Sequence, residues 1–242
     1  MNPILFTAAK GAERVMYAQE VRANNLAHTN TVGFKSLMEY SSPMPVGGSG
    51  FQSSVTTRTN SATNNFQEGT NVNTQRALDV VITGSGFFTL EGEDGKEIYT
   101  RAGDFHLDSA GNLMRGPFAV VGENGPIQVP ENQKVQISDD GFVSIIPVGG
   151  GASLGVDQLK LVNPDVKTMT LDRSGQFVST TGQNLPMAED VTIKTGFLES
   201  SNVSGTDELV SILSLSRQYE MQVKVMAAAN EISKIGNKII QG

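Results

Sequence analysis

Residues 204–240 read SGTDELVSILSLSRQYEMQVKVMAAANEISKIGNKII. Helix-forming residues dominate this stretch and no proline interrupts it, so it predicts one long helix of roughly 50 Å. Ser204 followed by Asp207 fits a capping box, which satisfies free backbone N–H groups at a helix start. Lys234 and Lys238 near the end complement the helix dipole.

Two apolar seams run along this predicted helix, and they lie about 160° apart. The first consists of Leu209, Ile212, Ser216, Tyr219, Val223, Met226 and Asn230. The second consists of Val225, Ala228, Ile232, Ile235 and Ile239. A helix with apolar groups on nearly opposite sides needs partners on both of them. The simpler alternative is one buried helix in an ordinary core.

The N-terminus predicts a second helix. Asn2 suits the capping position and Pro3 the first helical position, and we expect the helix to stop before Gly33. Its alanine-rich heptad seam consists of Leu5, Ala9, Ala12, Met16, Gln19, Ala23 and Leu26. Such a narrow stripe suits close helix–helix packing. We hypothesise that the two terminal helices pair with each other; the alternative is that each packs on another chain.

The segment between the predicted helices has two parts. Residues 36–76 are rich in Ser, Thr, Asn and Gly, and their apolar residues are too sparse for a core of their own. This part is either a flexible linker or an extended arm that orders against a partner. Residues 77–197 hold short β-type runs separated by turn residues, which predicts a hairpin-rich β domain.

Turn patterns divide the predicted β domain. Residues 108–111, 138–141 and 172–175 share one spacing, in which Asp or Ser caps the turn and Gly takes a positive φ. Residues 84–86 read Gly-Ser-Gly and superficially resemble a phosphate loop. A β run follows them instead of a helix, so we predict a hairpin turn. Three glycines at 149–151 predict an exposed loop.

The predicted fold is therefore of the α+β class. An N-terminal core helix with its exit turn occupies residues 1–35, a polar extended arm 36–76, the β domain 77–197, and a C-terminal core helix 198–242. The two terminal helices pair as a coiled-coil-like core. The antiparallel, hairpin-rich β domain is inserted between them.

The composition excludes several kinds of function. The formal net charge is −7, which argues against a nucleic-acid backbone as a partner. No window approaches about 18 consecutive apolar residues, so no transmembrane segment is predicted. Cysteine is absent, which excludes disulfides and thiolate chemistry. The N-terminus lacks the pattern of a cleaved signal peptide, so we expect a cytoplasmic protein or one exported by another route.

The sequence offers no constellation for catalysis. The two histidines, His28 and His106, lie far apart, which leaves a metal site or a Ser-His-Asp triad little to work with. The Asp-x-x-Gly turns lack the alternating carboxylates and the distal Glu of an EF-hand loop. We therefore predict a protein that is not an enzyme and has no catalytic residues, no metal and no cofactor.

Four segments together resemble bacterial flagellar rod and hook proteins. Residues 23–35 read ANNLAHTNTVGFK, close to the N-terminal signature of that family, with His28 where the family usually has Asn. Residues 78–88 (LDVVITGSGFF) look like its central motif, and residues 100–105 (TRAGDF) like the segment that follows it. Residues 196–203 (GFLESSNV) resemble its C-terminal lead-in.

These matches touch both ends and the middle of the chain. Residues 217–220 (RQYE) add a fifth match, where the family has Arg-x-Tyr-Glu. Within the family, a β domain of this size excludes the shortest rod proteins, and the modest length excludes the hook protein. Residues 2–9 and 43–46 resemble the proximal rod members more than the distal ones, which remain the alternative.

The resemblance implies an assembly function. Members of this family are exported by the flagellar type III apparatus without a cleaved signal, and their terminal segments are typically disordered until they assemble. With copies of themselves and with other rod proteins they build a helical tube that transmits torque across the periplasm. Their terminal helices form the inner core of that tube. We therefore expect a structural subunit located in the flagellar basal body.

The residues expected at the assembly interface come from both ends of the chain. They are Leu5, Ala9, Ala12, Met16, Ala23, Asn24, Asn25, Leu26, Asn30, Gly33, Phe34, Leu209, Ile212, Tyr219, Val223, Val225, Met226, Ile232, Ile235 and Ile239. The three asparagines are expected to shape the helix exit by local side-chain hydrogen bonds, and the glycine by an unusual backbone angle. Phe34 is expected to bury its ring after that turn.

Two rival hypotheses come from other classes of protein. The first is a secreted β-rich adhesin or binding module, which exposed aromatic side chains in a pocket would favour. The second is a carbohydrate- or peptidoglycan-cleaving enzyme, which needs two carboxylates at working separation in a cleft. An assay of the purified protein for lytic activity would separate the second from a structural role.

Overall fold

A computed structural model describes residues 3–45, 55–59, 63–172 and 175–241. The fold has the predicted α+β class, with two contacting helices at the ends of the chain and many antiparallel strands between them. The chain forms two compact units. Unit 1 comprises Met1–Thr29, Ser36–Asn65 and Val203–Gly242, and unit 2 comprises Asn30–Lys35 and Phe66–Asn202.

Unit 1 contains both terminal helices, α1 (Pro3–Ala27) and α2 (Gly205–Gln241). The start of α2 is capped as predicted, because the Ser204 hydroxyl accepts a hydrogen bond from the backbone N–H of Asp207 at 3.4 Å. The predicted cap of α1, Asn2, lies outside the described residues. Contact between α1 and α2 confirms the hypothesis that the two ends of the chain pair with each other.

Four short strands complete the described part of unit 1. They are β1 (Leu37–Met38), β2 (Ser41–Pro45), β3 (Val55–Thr59) and β4 (Thr63–Asn64). Strand β1 pairs with β4 and β2 pairs with β3, both in antiparallel register. These strands lie in the segment predicted as a polar arm. The structure divides that segment, because residues from Phe66 onward belong to unit 2.

Unit 2 is built mainly from strands. In chain order they are β5 (Asn71–Asn73), β6 (Val80–Thr83), β7 (Phe87–Glu91), β8 (Glu97–Thr100), β9 (His106–Leu107), β10 (Leu113–Arg115), β11 (Phe118–Gly122), β12 (Gly125–Pro126), β13 (Asn132–Ile137), β14 (Phe142–Pro147), β15 (Leu154–Gln158), β16 (Leu161–Val162), β17 (Met169–Leu171), β18 (Phe177–Ser179), β19 (Thr192–Thr195) and β20 (Phe197–Glu199). One turn of 3-10 helix, Val166–Thr168, precedes β17.

Antiparallel pairing joins these strands into several sheets. The largest sheet of the described residues follows the order β17-β18-β8-β7-β11-β10-β9, with β12 added on β11 and β16 on β7. Strands β13, β14 and β15 form a second sheet, β19 pairs with β6, and β20 pairs with β5. Strand β20 is the last element of unit 2, and the chain continues from it into α2.

The larger of two apolar clusters among the described residues lies in the interior of unit 2. It includes Val80, Leu90, Phe105 and Leu113, none of which has any exposed surface. The ring of Phe88 packs edge-to-face on that of Phe105, with the centroids 5.1 Å apart. Full burial of one such side chain contributes about 1.5–3 kcal/mol. Unit 2 therefore has a core that does not depend on another chain.

The turns of unit 2 largely follow the predicted pattern. Gly111, Gly141 and Gly175 have positive φ angles of 84°, 81° and 76°. The Asp108 carboxylate accepts a hydrogen bond from the backbone N–H of Asn112 at 2.8 Å. Residues 149–151 are exposed, as expected for a loop.

The hairpin predicted at residues 84–86 is wrong. These residues join β6 to β7, but the two strands do not pair with each other: β6 pairs with β19, and β7 pairs with β8, β11 and β16. The carbonyls of Gly84 and Gly86 instead accept hydrogen bonds from Nη1 of Arg101, at 2.8 and 2.9 Å. A turn signal locates the change of direction, but it does not tell which strand lies alongside.

Candidate assembly surface

The helices α1 and α2 run antiparallel. A β-carbon at Gly11 would lie only 2.9 Å from Nε2 of Gln222. Near the other end of the contact, Nη1 of Arg22 lies 3.2 Å from Oε1 of Glu208. Residue numbers thus rise along one helix as they fall along the other. The missing side chain of Gly11 allows the two helices to approach closely at that point.

Each helix has a stripe of buried or half-buried residues with heptad spacing, and α1 buries Ala12 and Val21 beside its stripe. On α1 this inward stripe is Ala8, Gly11, Val15, Ala18, Arg22 and Asn25. On α2 it is Glu208, Ile212, Leu215, Tyr219, Gln222, Met226, Ala229, Ser233 and Gly236. The steps alternate between three and four residues, which is the spacing that lets two helices keep contact along their length.

A buried polar contact ties α1 to its neighbours. The Asn25 side chain is fully buried. Its amide nitrogen donates to the Leu37 carbonyl at 3.0 Å and to Oε1 of Glu208 at 3.1 Å. Its amide oxygen accepts from the N–H of Leu37 at 2.8 Å. Asn25 therefore connects α1, β1 and α2. Its burial requires these partners, because a buried polar group without hydrogen bonds lowers the stability of the folded state.

Much of the remaining surface of α2 is apolar and exposed. Of the α2 residues whose side chains are described, only Glu208 and Ala229 are buried. Leu213 and Ile232 are 63% and 67% exposed. Six further apolar residues are exposed as well: Leu209, Val210, Met221, Val223, Val225 and Ile235. A helix that serves one core has one apolar face, so α2 has more apolar surface than the described part of unit 1 covers.

The interface residues predicted on the helices include buried, half-buried and exposed side chains. On α1, Ala12 and Asn25 are buried, Leu5 and Leu26 are half-buried, and Ala9, Met16, Ala23 and Asn24 are exposed. On α2, the inward stripe includes Ile212, Tyr219 and Met226, and the exposed surface includes Leu209, Val223, Val225, Ile232 and Ile235. The side chain of Ile239 lies outside the described part of the chain.

A groove of about 580 Å³ lies between α1 and α2. Its apolar lining consists of Ala9, Ala12, Met16, Tyr17, Tyr219 and Met226. Glu13 and Glu20 add two carboxylates, and Glu13 accepts a hydrogen bond from Lys10 at 2.6 Å. Residues of the predicted α1 seam and of the first predicted α2 seam therefore meet along this groove.

The chain segment that follows α1 depends on Gly33. Its φ of 67° confirms the predicted unusual backbone angle. A β-carbon there would lie 2.4 Å from the backbone nitrogen of Ala102, so the position also lacks room for any side chain. Asn30 is exposed and Phe34 is half-buried.

Three charged residues form a buried cluster in unit 2. The Glu199 carboxylate lies 2.6 Å from Nζ of Lys35 and 2.8 Å from Nε of Arg101. It also accepts a hydrogen bond from the N–H of Gly69 at 2.8 Å, and Lys35 donates to the Gln67 carbonyl at 2.7 Å. The side chains of the three charged residues are each at most 4% exposed. We call these three residues the ionic cluster.

Burial and pairing act in opposite directions on the pKa values of this cluster. Burial alone would raise the pKa of Glu199, but the Arg101 charge and the hydrogen bond from Lys35 outweigh it, so that pKa lies below its ordinary value. Burial lowers the pKa of Lys35, and its hydrogen bond to Glu199 offsets only part of that effect. The carboxylate of Glu199 is thus held in its ionised form.

Sequence reasoning missed the ionic cluster. Lys35, Arg101 and Glu199 each lie in a different one of the quoted segments, 23–35, 100–105 and 196–203. Nothing in any one segment indicates that the three meet. The available signal was weak: residues 23–35 and 196–203 contain one Lys and one Glu, respectively, as their only Asp, Glu, Lys or Arg residues, whereas residues 100–105 contain both Arg101 and Asp104.

Two further observations limit the chemistry of the described residues. They contain no group of three or more His, Cys, Asp or Glu side chains placed to hold a metal ion. Neither described helix carries a stretch long and apolar enough to cross a membrane.

Two family models match parts of the chain. Residues 194–239 match the model described as flagellar basal body rod FlgEFG protein C-terminal. Residues 81–145 match the model described as flagellar hook protein FlgE/F/G D1 domain. The first match covers most of α2 with the strand that leads into it. The second covers most of β6, all of β7 to β13 and part of β14.

Named relatives match over nearly the whole chain. The flagellar basal-body rod proteins FlgF of Salmonella typhimurium and Escherichia coli are each 29% identical over 248 residues, covering 99% of both chains. The rod protein FlgG of Bacillus subtilis is 30% identical over 263 residues, covering 94% of this chain and 95% of the relative. The chain therefore resembles FlgF, with FlgG next, and it belongs to the flagellar basal-body rod protein family.

Proposed function

We propose that this chain is a structural subunit of the proximal part of the flagellar basal-body rod. It assembles with copies of itself and with other rod proteins into a helical tube that transmits torque across the periplasm. It carries out no catalysis and needs no cofactor. The family relatives support this role, and they do not favour the β-rich adhesin considered above.

The exposed apolar surface of α2 is the observation that carries this proposal. A solitary subunit would leave Leu213, Ile232 and the other exposed apolar residues in water, and exposed apolar patches of this kind mark interaction sites. Contacts between unlike surfaces of successive copies do not close into a two-fold dimer, so they generate rings or helical filaments. The relatives are named rod proteins, and a helical filament of such contacts is a rod-shaped assembly.

The interface residues are proposed in two groups. Ala12, Ile212, Tyr219 and Met226 act within the subunit, where α1 and α2 pair in a coiled-coil-like manner. The exposed residues face neighbouring subunits: Ala9, Met16, Ala23, Leu209, Val223, Val225, Ile232 and Ile235. We further propose export by the flagellar type III apparatus, without a cleaved signal, before assembly in the periplasm.

The substitution Val223→Asp tests this function. Val223 is 41% exposed on α2, so a carboxylate there is tolerated by an isolated subunit but is buried without a partner in the assembly. We expect unit 2 to stay folded, and incorporation into basal bodies and swimming to be lost. The matched control is Lys224→Gln, which makes the same change in net charge on the next residue and leaves the apolar surface intact.

Two measurements decide the outcome. Basal bodies are purified from cells that express only the variant, and the subunit is detected in them by immunoblotting. Swimming is followed in soft agar. Normal incorporation and swimming of the Val223→Asp strain, equal to the Lys224→Gln strain, would contradict the proposed interface.

A further inference from the structure

The chain passes from one unit to the other four times, after Thr29, Lys35, Asn65 and Asn202. Each of these positions lies at an end of one of three short segments of unit 2, which we call the crossing segments: residues 30–35, 66–70 and 197–202. Any force that reaches unit 2 along the chain from unit 1 therefore arrives at a crossing segment.

Backbone hydrogen bonds join the crossing segments to one another. The N–H of Gly33 donates to the Glu199 carbonyl at 2.8 Å, and the N–H of Ser200 donates to the Thr70 carbonyl at 2.9 Å. Residues 197–202 are thus bonded to both of the other segments. A single backbone hydrogen bond adds little net stability, because water replaces it when it breaks. By themselves, such bonds would let a pulled segment separate from its neighbours one bond at a time.

The ionic cluster joins the same segments to the largest sheet. Lys35 and Glu199 belong to crossing segments, whereas Arg101 directly follows β8 in that sheet. Arg101 donates to Glu199 through Nε at 2.8 Å. Its Nη1 donates to the carbonyls of Gly84 and Gly86, which lie between β6 and β7. One buried guanidinium therefore connects a crossing segment with two points in the β structure of unit 2.

Separation of the ionic cluster is more costly than the loss of a backbone hydrogen bond. Its three side chains are each at most 4% exposed, so water does not replace their partners until the cluster has opened. Until then, a displaced Glu199 leaves two buried cations without a counter-charge, and buried charges without partners are strongly unfavourable. The cluster therefore opposes the first movement of a crossing segment away from the sheet.

We propose that the ionic cluster is a mechanical anchor, which holds the crossing segments in unit 2 against force that arrives along the chain from unit 1. This inference rests on the proposed function, because a subunit that transmits torque is loaded in this way. It goes further because it assigns the resistance to three buried charges and not to the apolar core.

Single-molecule pulling of the full chain tests the anchor. The natural chain contains no cysteine, so cysteines introduced at two exposed positions attach the pulling handles specifically. The first pair, Asp140→Cys/Thr206→Cys, encloses Glu199 and loads residues 197–202. The second pair, Asp140→Cys/Gln183→Cys, encloses no residue of the cluster.

The test variant is Arg101→Met, which removes one cation and leaves Lys35 paired with Glu199. Its control is a core variant on β14, where Val143 and Ile145 are buried. Of Val143→Ala and Ile145→Ala, the control is the one whose free energy of unfolding in chemical denaturation is closer to that of Arg101→Met.

Forced unfolding is governed by the unfolding rate. When force is applied through positions 140 and 206, we expect Arg101→Met to unfold several-fold faster than the control at the same force. When force is applied through positions 140 and 183, we expect the two variants to unfold at the same rate, because the loaded part of the chain contains no residue of the cluster.

Each outcome bears on one claim. Equal rates through positions 140 and 206, or the same difference through both pairs, would overturn the anchor and leave the proposed function standing. Absence of the natural chain from basal bodies would overturn the proposed function itself. If Arg101→Met does not fold, Arg101→Lys takes its place, because lysine keeps the charge but lacks the planar fork of donors that arginine supplies.

Discussion

At the scale of single residues, the ionic cluster explains why charged side chains occur in three of the quoted segments. A buried carboxylate is costly unless its lone pairs are matched by donors. Glu199 has three such donors, from Lys35, Arg101 and the N–H of Gly69. The cluster thereby fixes segments that are distant in sequence: the residues after α1, those after β4, and those before α2.

We predict that Glu199→Gln destabilises unit 2 strongly. The amide keeps the shape of the side chain but leaves two buried cations without a counter-charge, and breaking such a pair costs about 3–5 kcal/mol. Chemical denaturation followed by circular dichroism measures the free energy of unfolding. The matched control is Glu93→Gln, because Glu93 is exposed in the turn between β7 and β8. A loss no larger than that of the control would contradict the role of the cluster.

The same variant has a defined pH dependence. The pKa of Glu199 is lower in the folded state than its ordinary value of 4.5. Its stabilising effect is therefore complete above that value and is lost as the pH falls through the folded pKa. We expect the difference in stability between the natural protein and Glu199→Gln to be constant near pH 7 and to shrink in acid. A difference independent of pH would contradict this assignment.

A second prediction at this scale concerns Gly33. Alanine at position 33 must adopt a positive φ and must also displace the backbone at Ala102, which would lie 2.4 Å from its β-carbon. Gly95 is the matched control, since its φ is 69° and its β-carbon would meet nothing within 4 Å. Gly95→Ala should cost about 1–2 kcal/mol from backbone strain alone. Gly33→Ala should cost clearly more in the same denaturation experiment, and equal losses would argue against the close approach.

At the scale of elements, the sequence predicted the helices better than their inward stripes. The predicted seam of α2 counted apolar residues, and it therefore included Leu209 and Val223. The inward stripe instead contains Glu208 and Gln222, the residues that immediately precede Leu209 and Val223 in the sequence. Polar residues can occupy the stripe because Arg22 and Asn25 bind Glu208, and because Gly11 leaves room for Gln222. Apolar periodicity cannot detect such pairing, since it depends on a partner helix.

The asparagines in residues 23–35 illustrate the same limit. Local side-chain hydrogen bonds were expected for both Asn24 and Asn25. Asn24 is exposed, whereas Asn25 binds Leu37 and Glu208, which are 12 and 183 residues away in sequence. Asn25 is therefore the member of this pair that packs within unit 1. The sequence alone does not show which of the two asparagines is buried.

We predict opposite results for alanine at these neighbouring positions. Asn25→Ala leaves the Glu208 carboxylate and the polar groups of Leu37 short of partners, at about 1–3 kcal/mol for each unpaired group. Incorporation into basal bodies should fall relative to the natural chain. Asn24→Ala removes an exposed side chain from the same helix turn and should be incorporated normally. Equal incorporation of the two variants would contradict the role given to Asn25.

At the scale of the whole molecule, the two units differ in how completely they bury their own apolar residues. Unit 2 buries an apolar core of its own, including Leu90 and Phe105, whereas unit 1 leaves apolar residues of α2 exposed. The sequence predicted this contrast from composition and periodicity, because short β-type runs and two-sided helices are local features. It did not predict that residues 30–35 and 66–76 join unit 2, since that depends on contacts such as those of Lys35 and Gly69 with Glu199.

Hydrogen exchange shows whether α2 needs neighbouring subunits to be stable. Amide exchange is measured on the full natural chain, first as a dilute monomer and then in isolated basal bodies. We predict that α2 exchanges rapidly in the monomer and becomes protected in the assembly, while β7 and β8 are protected in both. Full protection of α2 in the dilute monomer would mean that the helix is stable without neighbouring subunits, contrary to this prediction.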